Sequence, residues 1–260
     1  MARVQIAERV GLYRCTIMGC TVRAEKGEQL PRCCRFEEPK GWRGKWELDI
    51  RSSKNPSGRY MKIILATRNT SKAEQIKALF SSDRFIFKTL DEAGVSGDSL
   101  ENGQDVFENA AEKALFAWRQ AFGWVLADDT ALHIDVLKGA PGHHAARWAG
   151  KDASTEEIML HTLKKIHGFP LPERTATFVT AACLVKPNGS WHCFTGKVRG
   201  VILEGPRCPC QPGMPYSSIF KPDGSDKVWA EMTTEEENAI SHRGQAFRQV
   251  QEFLMRTVFN

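Results

Sequence analysis

The sequence predicts an α/β domain on an elongated mixed sheet flanked by helices over residues 61–260, preceded by an extension of different character. Three observations carry this. Short apolar runs of strand type alternate with amphipathic helical stretches, a long hairpin pattern interrupts the alternation, and polar loops fall where strands give way to helices. A chain of 260 residues can bury a substantial core, and 42% hydrophobic with 26% charged residues are ordinary globular proportions. No apolar run reaches the roughly 20 residues a spanning helix needs. The first twenty residues carry Glu8, Arg9 and Arg14 without a continuous apolar stretch, so no secretory signal is visible. The expectation is a cytoplasmic protein with no membrane partner.

Residues 1–60 show no sustained helical or strand period, and Lys54 to Arg59 read as a turn or linker. They carry 13 Lys+Arg against 7 Asp+Glu, leaving 23 basic and 24 acidic residues beyond. The net charge of +5 therefore belongs to the extension, and the main body has no basic field that would suit nucleic acid. The break at Met61 leads us to expect a misplaced upstream start or a disordered segment over 1–60, a genuine basic arm being the alternative. The cysteines show no metal-knuckle spacing, and all eight, Cys183 and Cys193 among them, are expected to be unpaired reduced thiols.

From Met61 the elements follow in order. Lys62 to Ala66 has the apolar composition of a buried strand, and Lys72 to Phe80 follows with a helical pattern. Val106 to Phe122 sets Phe107, Ala110, Ala114, Leu115, Trp118 and Phe122 at three- and four-residue spacing, the signature of an amphipathic helix. Trp124 to Ala127 is a short strand ending in Asp128-Asp129, and Leu132 to Leu137 is a second apolar stretch. Ser154 and Glu157 form a capping box that opens a helix on Ile158, Leu160, Leu163 and Ile166. Thr175 to Val185 and Trp191 to Val198 flank Pro187-Asn188-Gly189, an antiparallel hairpin with Asn-Gly at its tip. Residues 203–218, rich in Pro, Gly and Cys, read as a loop, and Ser241 to Val258 closes the chain as a helix. In such folds ligands gather at the carboxyl ends of strands, which directs the search to 67–72 and 128–130, in a central cleft.

Thr67-Arg68-Asn69-Thr70-Ser71-Lys72 offers hydroxyls, an amide, the free N–H groups of a helix start and a lysine, each able to hold phosphate oxygen; a solvated capped turn is the other reading. Asp128-Asp129 place two carboxylates between apolar segments, where Mg²⁺ is a natural partner and one carboxylate can act on water; a turn or cap is the alternative. Glu101 is a candidate third carboxylate. Ser241-His242-Arg243 at a helix start can cap it or read a carbonyl-bearing ring and a phosphate.

Taken in order, Thr67-x-Asn69-x-x-Lys72, Glu101-x-Gly103, Glu108-Asn109-Ala110 with Lys113, Ala127-Asp128-Asp129-Thr130, Gly139-Ala140-Pro141-Gly142, Ala146-Arg147-Trp148-Ala149-Gly150 and Ala239 to Ala246 resemble the inosine/xanthosine triphosphate pyrophosphatase family. The resemblance covers essentially all of 61–260. It implies an enzyme that hydrolyses deaminated purine nucleotides (ITP, dITP, XTP) to the monophosphate and pyrophosphate, uses Mg²⁺ and forms a homodimer. By matching position, Thr67, Asn69, Lys72 and Lys113 would hold the triphosphate with Arg68, Thr70, Ser71 and Thr130 beside it. Glu101, Asp128 and Asp129 would bind metal, Asp129 would act on the water, and His242 and Arg243 would face the base and α-phosphate.

The departures cluster on the base side. Where the family reads Gly-Phe-Gly-Tyr-Asp-Pro-Ile-Phe, this chain has Gly213-Met214-Pro215-Tyr216-Ser217-Ser218-Ile219-Phe220, Glu237 stands in place of a lysine, and Gln75 in place of a glutamate. The expectation is hydrolysis with altered base selectivity, and the rival from another class is a non-catalytic protein that binds nucleotide or a partner.

Overall fold

The computed structural model describes residues 60–80, 82–99 and 102–259, together with the backbone of three strands nearer the amino end. Those strands, β1 (Gly11–Cys15), β2 (Thr21–Ala24) and β3 (Trp46–Leu48), form an antiparallel sheet in the order β2-β1-β3. The sequence reading expected no regular structure there and is corrected for these residues. Strands of three to five residues are too short to display an alternation, and β3 pairs with β1 from a distant part of the chain.

The main body runs β4 (Met61–Leu65), α1 (Thr70–Leu79), β5 (Phe85–Lys88), α2 (Val106–Ala121), β6 (Trp124–Ile134), β7 (Pro141–Gly142), α3 (Thr155–Lys165), β8 (Thr175–Val185), β9 (Trp191–Ile202), β10 (Phe220–Pro222), α4 (Thr234–Ile240) and α5 (His242–Val258). Its sheet has the order β10-β9-β8-β6-β4-β5, with β7 added to the far end of β6. Strand β4 pairs parallel with β5 and β6, because α1 and α2 carry the chain back across the sheet, and the remaining pairs are antiparallel. The fold is thus the expected α/β arrangement on a mixed sheet.

Strand β8 lies in the middle and is buried on both faces. Val179, Ala181 and Val185 pack against Ala110, Ala114 and Ala117 of α2, whose small side chains let the helix lie close to the sheet. On the other face Ala182 and Leu184 meet Phe247, Val250 and Leu254 of α5. Each such buried Phe, Leu or Val contributes about 1.5–3 kcal/mol relative to exposure. A third cluster gathers Phe178, Tyr216, Ile219, Phe220 and Trp229 under the loop that precedes β10. Glycine fixes one close approach here. A Cβ at Gly196 of β9 would collide with the His242 carbonyl, so this glycine lets the start of α5 sit on the sheet.

Four sequence expectations are adjusted. Strand β6 does not stop at Ala127 but runs eleven residues in all, Trp124–Ile134, through both aspartates. Helix α1 begins at Thr70 with Asn69 as its cap, earlier than the apolar spacing suggests. Phe107, assigned to the buried stripe of α2, is 40% exposed, and Phe122 terminates that helix in a left-handed conformation (φ 50°). Cys183 and Cys193, expected as free thiols, face each other in register across β8 and β9 with Cα atoms 4.1 Å apart and form a disulfide; Cys208 and Cys210 are free. No helix among the described residues is long and apolar enough to cross a membrane.

Candidate functional site

The end of β4 opens into a loop that its own side chains hold. Thr67 Oγ1 accepts the Asn69 amide at 3.2 Å, and Asn69 Oδ1 accepts the Lys72 amide at 3.0 Å. This capping leaves the Thr70 and Ser71 amides at the helix start without intrahelical partners and sends the Lys72 side chain toward β6. Arg68 turns outward instead: Asp91 and Asp98 hold its guanidinium at 3.0 and 2.7 Å, and it does not line the cavity described below.

Because β6 is continuous, strand alternation sends Asp128 and Asp129 to opposite faces. Asp128, 2% exposed, lies 3.5 Å from Lys72 Nζ and 3.4 Å from Arg243 Nε, both measured to Oδ2. Burial alone would raise its pKa, but Lys72, Arg243 and Lys113 outweigh it and hold the carboxyl well below the usual carboxylate range. Burial pushes the Lys72 ammonium down, with Asp128 opposing. On the other face Asp129 Oδ1 accepts from Lys113 Nζ at 2.8 Å, and Oδ2 from Asn109 Nδ2 at 3.3 Å. The adjacent carboxylates therefore meet different side chains, Asp128 those of Lys72 and Arg243 and Asp129 those of Lys113 and Asn109.

A hydrogen-bonded chain links this cluster to the departures from the family pattern. Arg243 Nη1 donates to Gln75 Oε1, Gln75 Nε2 donates to Glu237 Oε1 at 2.6 Å, and Gln211 Nε2 donates to Glu237 Oε2 at 3.3 Å. Glu237, Gln75 and Arg243 are all buried. Beside them lies a cavity with Phe178, Met214, Pro215 and Trp229 as its apolar wall, Lys72 and Arg243 at one end and Thr130 on the β6 side. Thr130 shares a 2.7 Å hydrogen bond with Thr180. Tyr216 donates to the Ala145 carbonyl at 2.8 Å, and burial pushes its phenol well above the ordinary value. Ser217 accepts the Gln211 amide and donates to the Met214 carbonyl, both at 2.8 Å, so it ties the loop to itself.

His242 stacks on Phe178 with ring centroids 4.7 Å apart and planes 12° apart, and its Nδ1 is buried without a partner among the described residues. Burial, reinforced by Arg243, holds it neutral far below the usual histidine range, while Asp128 opposes and Lys72 adds to the effect. A histidine whose native pKa is depressed contributes stability that is complete above the unfolded value near 6.5 and is lost on acidification below it. From pH 7 to pH 5 the protein should lose up to about 1.4 kcal/mol per pH unit more than a His242→Asn variant, read from urea unfolding at each pH. Parallel slopes in the two proteins would show that His242 does not titrate this way.

Glu101 lies outside the described residues. Among those described, no group of three His, Cys, Asp or Glu side chains comes together as a metal cage. The other expected residues, Arg68 apart, sit around the buried charge cluster or the cavity. Several contributors had little signal in the chain. Phe178 is one apolar residue in an apolar strand, and Gln211 and Trp229 carry no motif. Asn109 was legible as a polar residue inside the buried stripe of α2, and it is 1% exposed against Asp129. Another, more open cavity of about 350 Å³ on the outer face of α2, lined by Phe107, Leu115, Arg119 and Trp191, contains none of the expected site residues.

A helix N-terminus, three buried or half-buried cations and a flat apolar wall define an α/β protein whose site suits a ligand with an anionic chain and a ring. Residues 63–253 match the Ham1 family, and the chain belongs to it. The dITP/XTP pyrophosphatase of Thermoanaerobacter pseudethanolicus is 36% identical over 196 residues, spanning 75% of this chain and 98% of that protein. That of Elusimicrobium minutum is 38% identical over 194 residues, spanning 73% and 98%. Among solved structures, a HAM1 protein from Coxiella burnetii superposes with a TM-score of 0.68 at 33% identity, covering 76% of this chain and all of that one.

Proposed function

We propose that this chain is a Mg²⁺-dependent nucleoside triphosphate pyrophosphatase, releasing pyrophosphate and the monophosphate, with a base selectivity altered from that of its dITP/XTP-hydrolysing relatives. The observation that carries it is the charge cluster beside the start of α1: Lys72 and Arg243 lie against Asp128, and Lys113 against Asp129. The unpartnered amides at the start of α1, with Lys72 beside them, suit an anionic ligand. Thr67, Asn69, Thr70, Ser71, Lys72 and Lys113 would hold the phosphate chain, and the cavity beside Phe178 and Met214 would take the ring. The relatives' names and the family membership support the same activity. A cytoplasmic homodimer is the setting we propose for it.

The residues fit the metal. Asp128 Oδ1 is buried without a hydrogen-bond partner among the described residues, a bare carboxylate oxygen of the kind a hard cation takes. Mg²⁺ keeps most of its waters and needs only one or two protein carboxylates, of which Asp128 would supply one, with Glu101 or Asp129 as candidates for a second. When bound it would neutralise charge on the phosphate chain. The protein's own work is positional. Asp129 Oδ2, held only by the 3.3 Å contact from Asn109, is the oxygen free to take a proton from the attacking water. Lys113 holds that carboxylate in place by its 2.8 Å contact, and Lys72 and Arg243 would meet the negative charge that grows on the phosphate.

Pyrophosphate release from nucleoside triphosphates, measured with Mg²⁺ and again with excess chelator, tests this reading. We expect equal amounts of pyrophosphate and monophosphate and at least about a 100-fold loss on chelation. Release of orthophosphate would overturn the reaction assignment, and no turnover of any nucleotide would leave the non-catalytic binding protein.

A further inference from the structure

We propose that the cavity selects a base presenting an exocyclic amino group, read by Glu237 and Gln211. The inference rests on the reading above, that a nucleotide's base occupies this cavity. A carboxylate only accepts hydrogen bonds, so both neighbouring amides must turn their NH₂ groups to Glu237. Gln75 does so at 2.6 Å and places its own oxygen against Arg243; Gln211 does so at 3.3 Å, leaving its Oε1 buried with no partner among the described residues. Glu237, 5% exposed, lines the cavity with further acceptor capacity on its oxygens, and the bare oxygen of Gln211 lies beside it.

Among the described lining residues no cation contacts Glu237 directly: Arg243 reaches it only through Gln75, and the Lys72 ammonium lies against Asp128. What Glu237 and the bare Gln211 oxygen lack is a donor. Adenine supplies one from its 6-amino group and guanine from its 2-amino group, whereas hypoxanthine and xanthine carry no amino group. A carbonyl lone pair set against a buried carboxylate is repelled, and the bare acceptors stay unsatisfied. Trp229 Nε1, also buried and without a partner, is a donor suited to a ring nitrogen of the same base. Hypoxanthine carries one carbonyl where xanthine carries two, so it should rank between the amino bases and xanthine. One hydrogen bond to a charged acceptor is worth roughly 10- to 100-fold in affinity.

The test uses the full chain and two readouts: calorimetric binding of AMP, GMP, IMP and XMP, and pyrophosphate release from the corresponding triphosphates. AMP or GMP should bind at least about tenfold more tightly than IMP, with XMP weakest, and kcat/KM should rank the same way. The stronger of the two identifies whether the 6-amino or the 2-amino position is read. Glu237→Gln, which keeps the shape and adds a donor, should narrow the spread to within about threefold, and Glu237→Lys should invert it. IMP or XMP binding as tightly as both amino nucleotides, or a ranking unmoved by Glu237→Gln, overturns the proposal. Ranked binding without turnover would sink the pyrophosphatase reading alone, and turnover favouring ITP or XTP would sink the amino reading alone.

Discussion

Asp129→Asn is expected to lower pyrophosphate release by at least about 100-fold while leaving the fold in place, because a positioned general base contributes about 10²–10⁴-fold. The substitution keeps size and shape. Its carbonyl oxygen can still accept from Lys113 Nζ, now 2.8 Å from Asp129 Oδ1, but its NH₂ cannot accept from Asn109 and cannot take a proton from water. The pair is largely buried, but Lys113 keeps a hydrogen bond to the asparagine carbonyl, so losing the charge should cost about 1–2 kcal/mol, or about 2–8 °C in a chain of this size. The discriminating result is a large kinetic loss beside a small thermal shift. Near-normal release by Asp129→Asn would remove this residue from the chemistry, and a collapsed melting transition would show that its charge is structural.

The sheet and helices were legible because the apolar runs at Lys62 to Ala66 and Thr175 to Val185 and the alanine-rich stripe of α2 report burial directly. Strand β6 was read as ending at Ala127 because Asp128, Asp129 and Thr130 interrupt an apolar pattern. A chain that buries two carboxylates in mid-strand must supply partners, and those partners come from α1, α2 and α5, which no local window contains. The same distance hid the base-side network. Glu237 and Gln75 each stood out as a departure from the family pattern, yet they lie 162 residues apart in the chain, and only the packing of α4 against α1 shows that they contact each other. Read together, they are one change: a cation and an anion exchanged for an anion and a neutral amide, with Gln211 turned to match. The Cys183–Cys193 pairing is another contact set by register, and spacing alone did not reveal it.

Asp128→Asn should show the opposite balance to Asp129→Asn, a loss of about 3–5 kcal/mol in unfolding free energy, equivalent to roughly 6–20 °C. Asp128 is 2% exposed, and Lys72 and Arg243 both rest on its Oδ2, so neutralising it leaves two like charges facing each other with no counter-charge. Removing one member of a buried ion cluster costs more than the cluster contributes, because the survivors stay desolvated. Lys72→Met in the Asp128→Asn background should therefore recover part of the loss, and strict additivity of the two substitutions would argue against the coupling. The pH dependence has a fixed sign. A carboxyl held below its unfolded pKa near 3.9 stabilises above that value and ceases to do so as pH falls toward its native one, so below about pH 4 the native protein should lose stability more steeply than Asp128→Asn. Two neighbouring aspartates that look alike in the chain would thus divide the work, with Asp128 holding α1 and α5 against the sheet and Asp129, on the other face, left free to meet water.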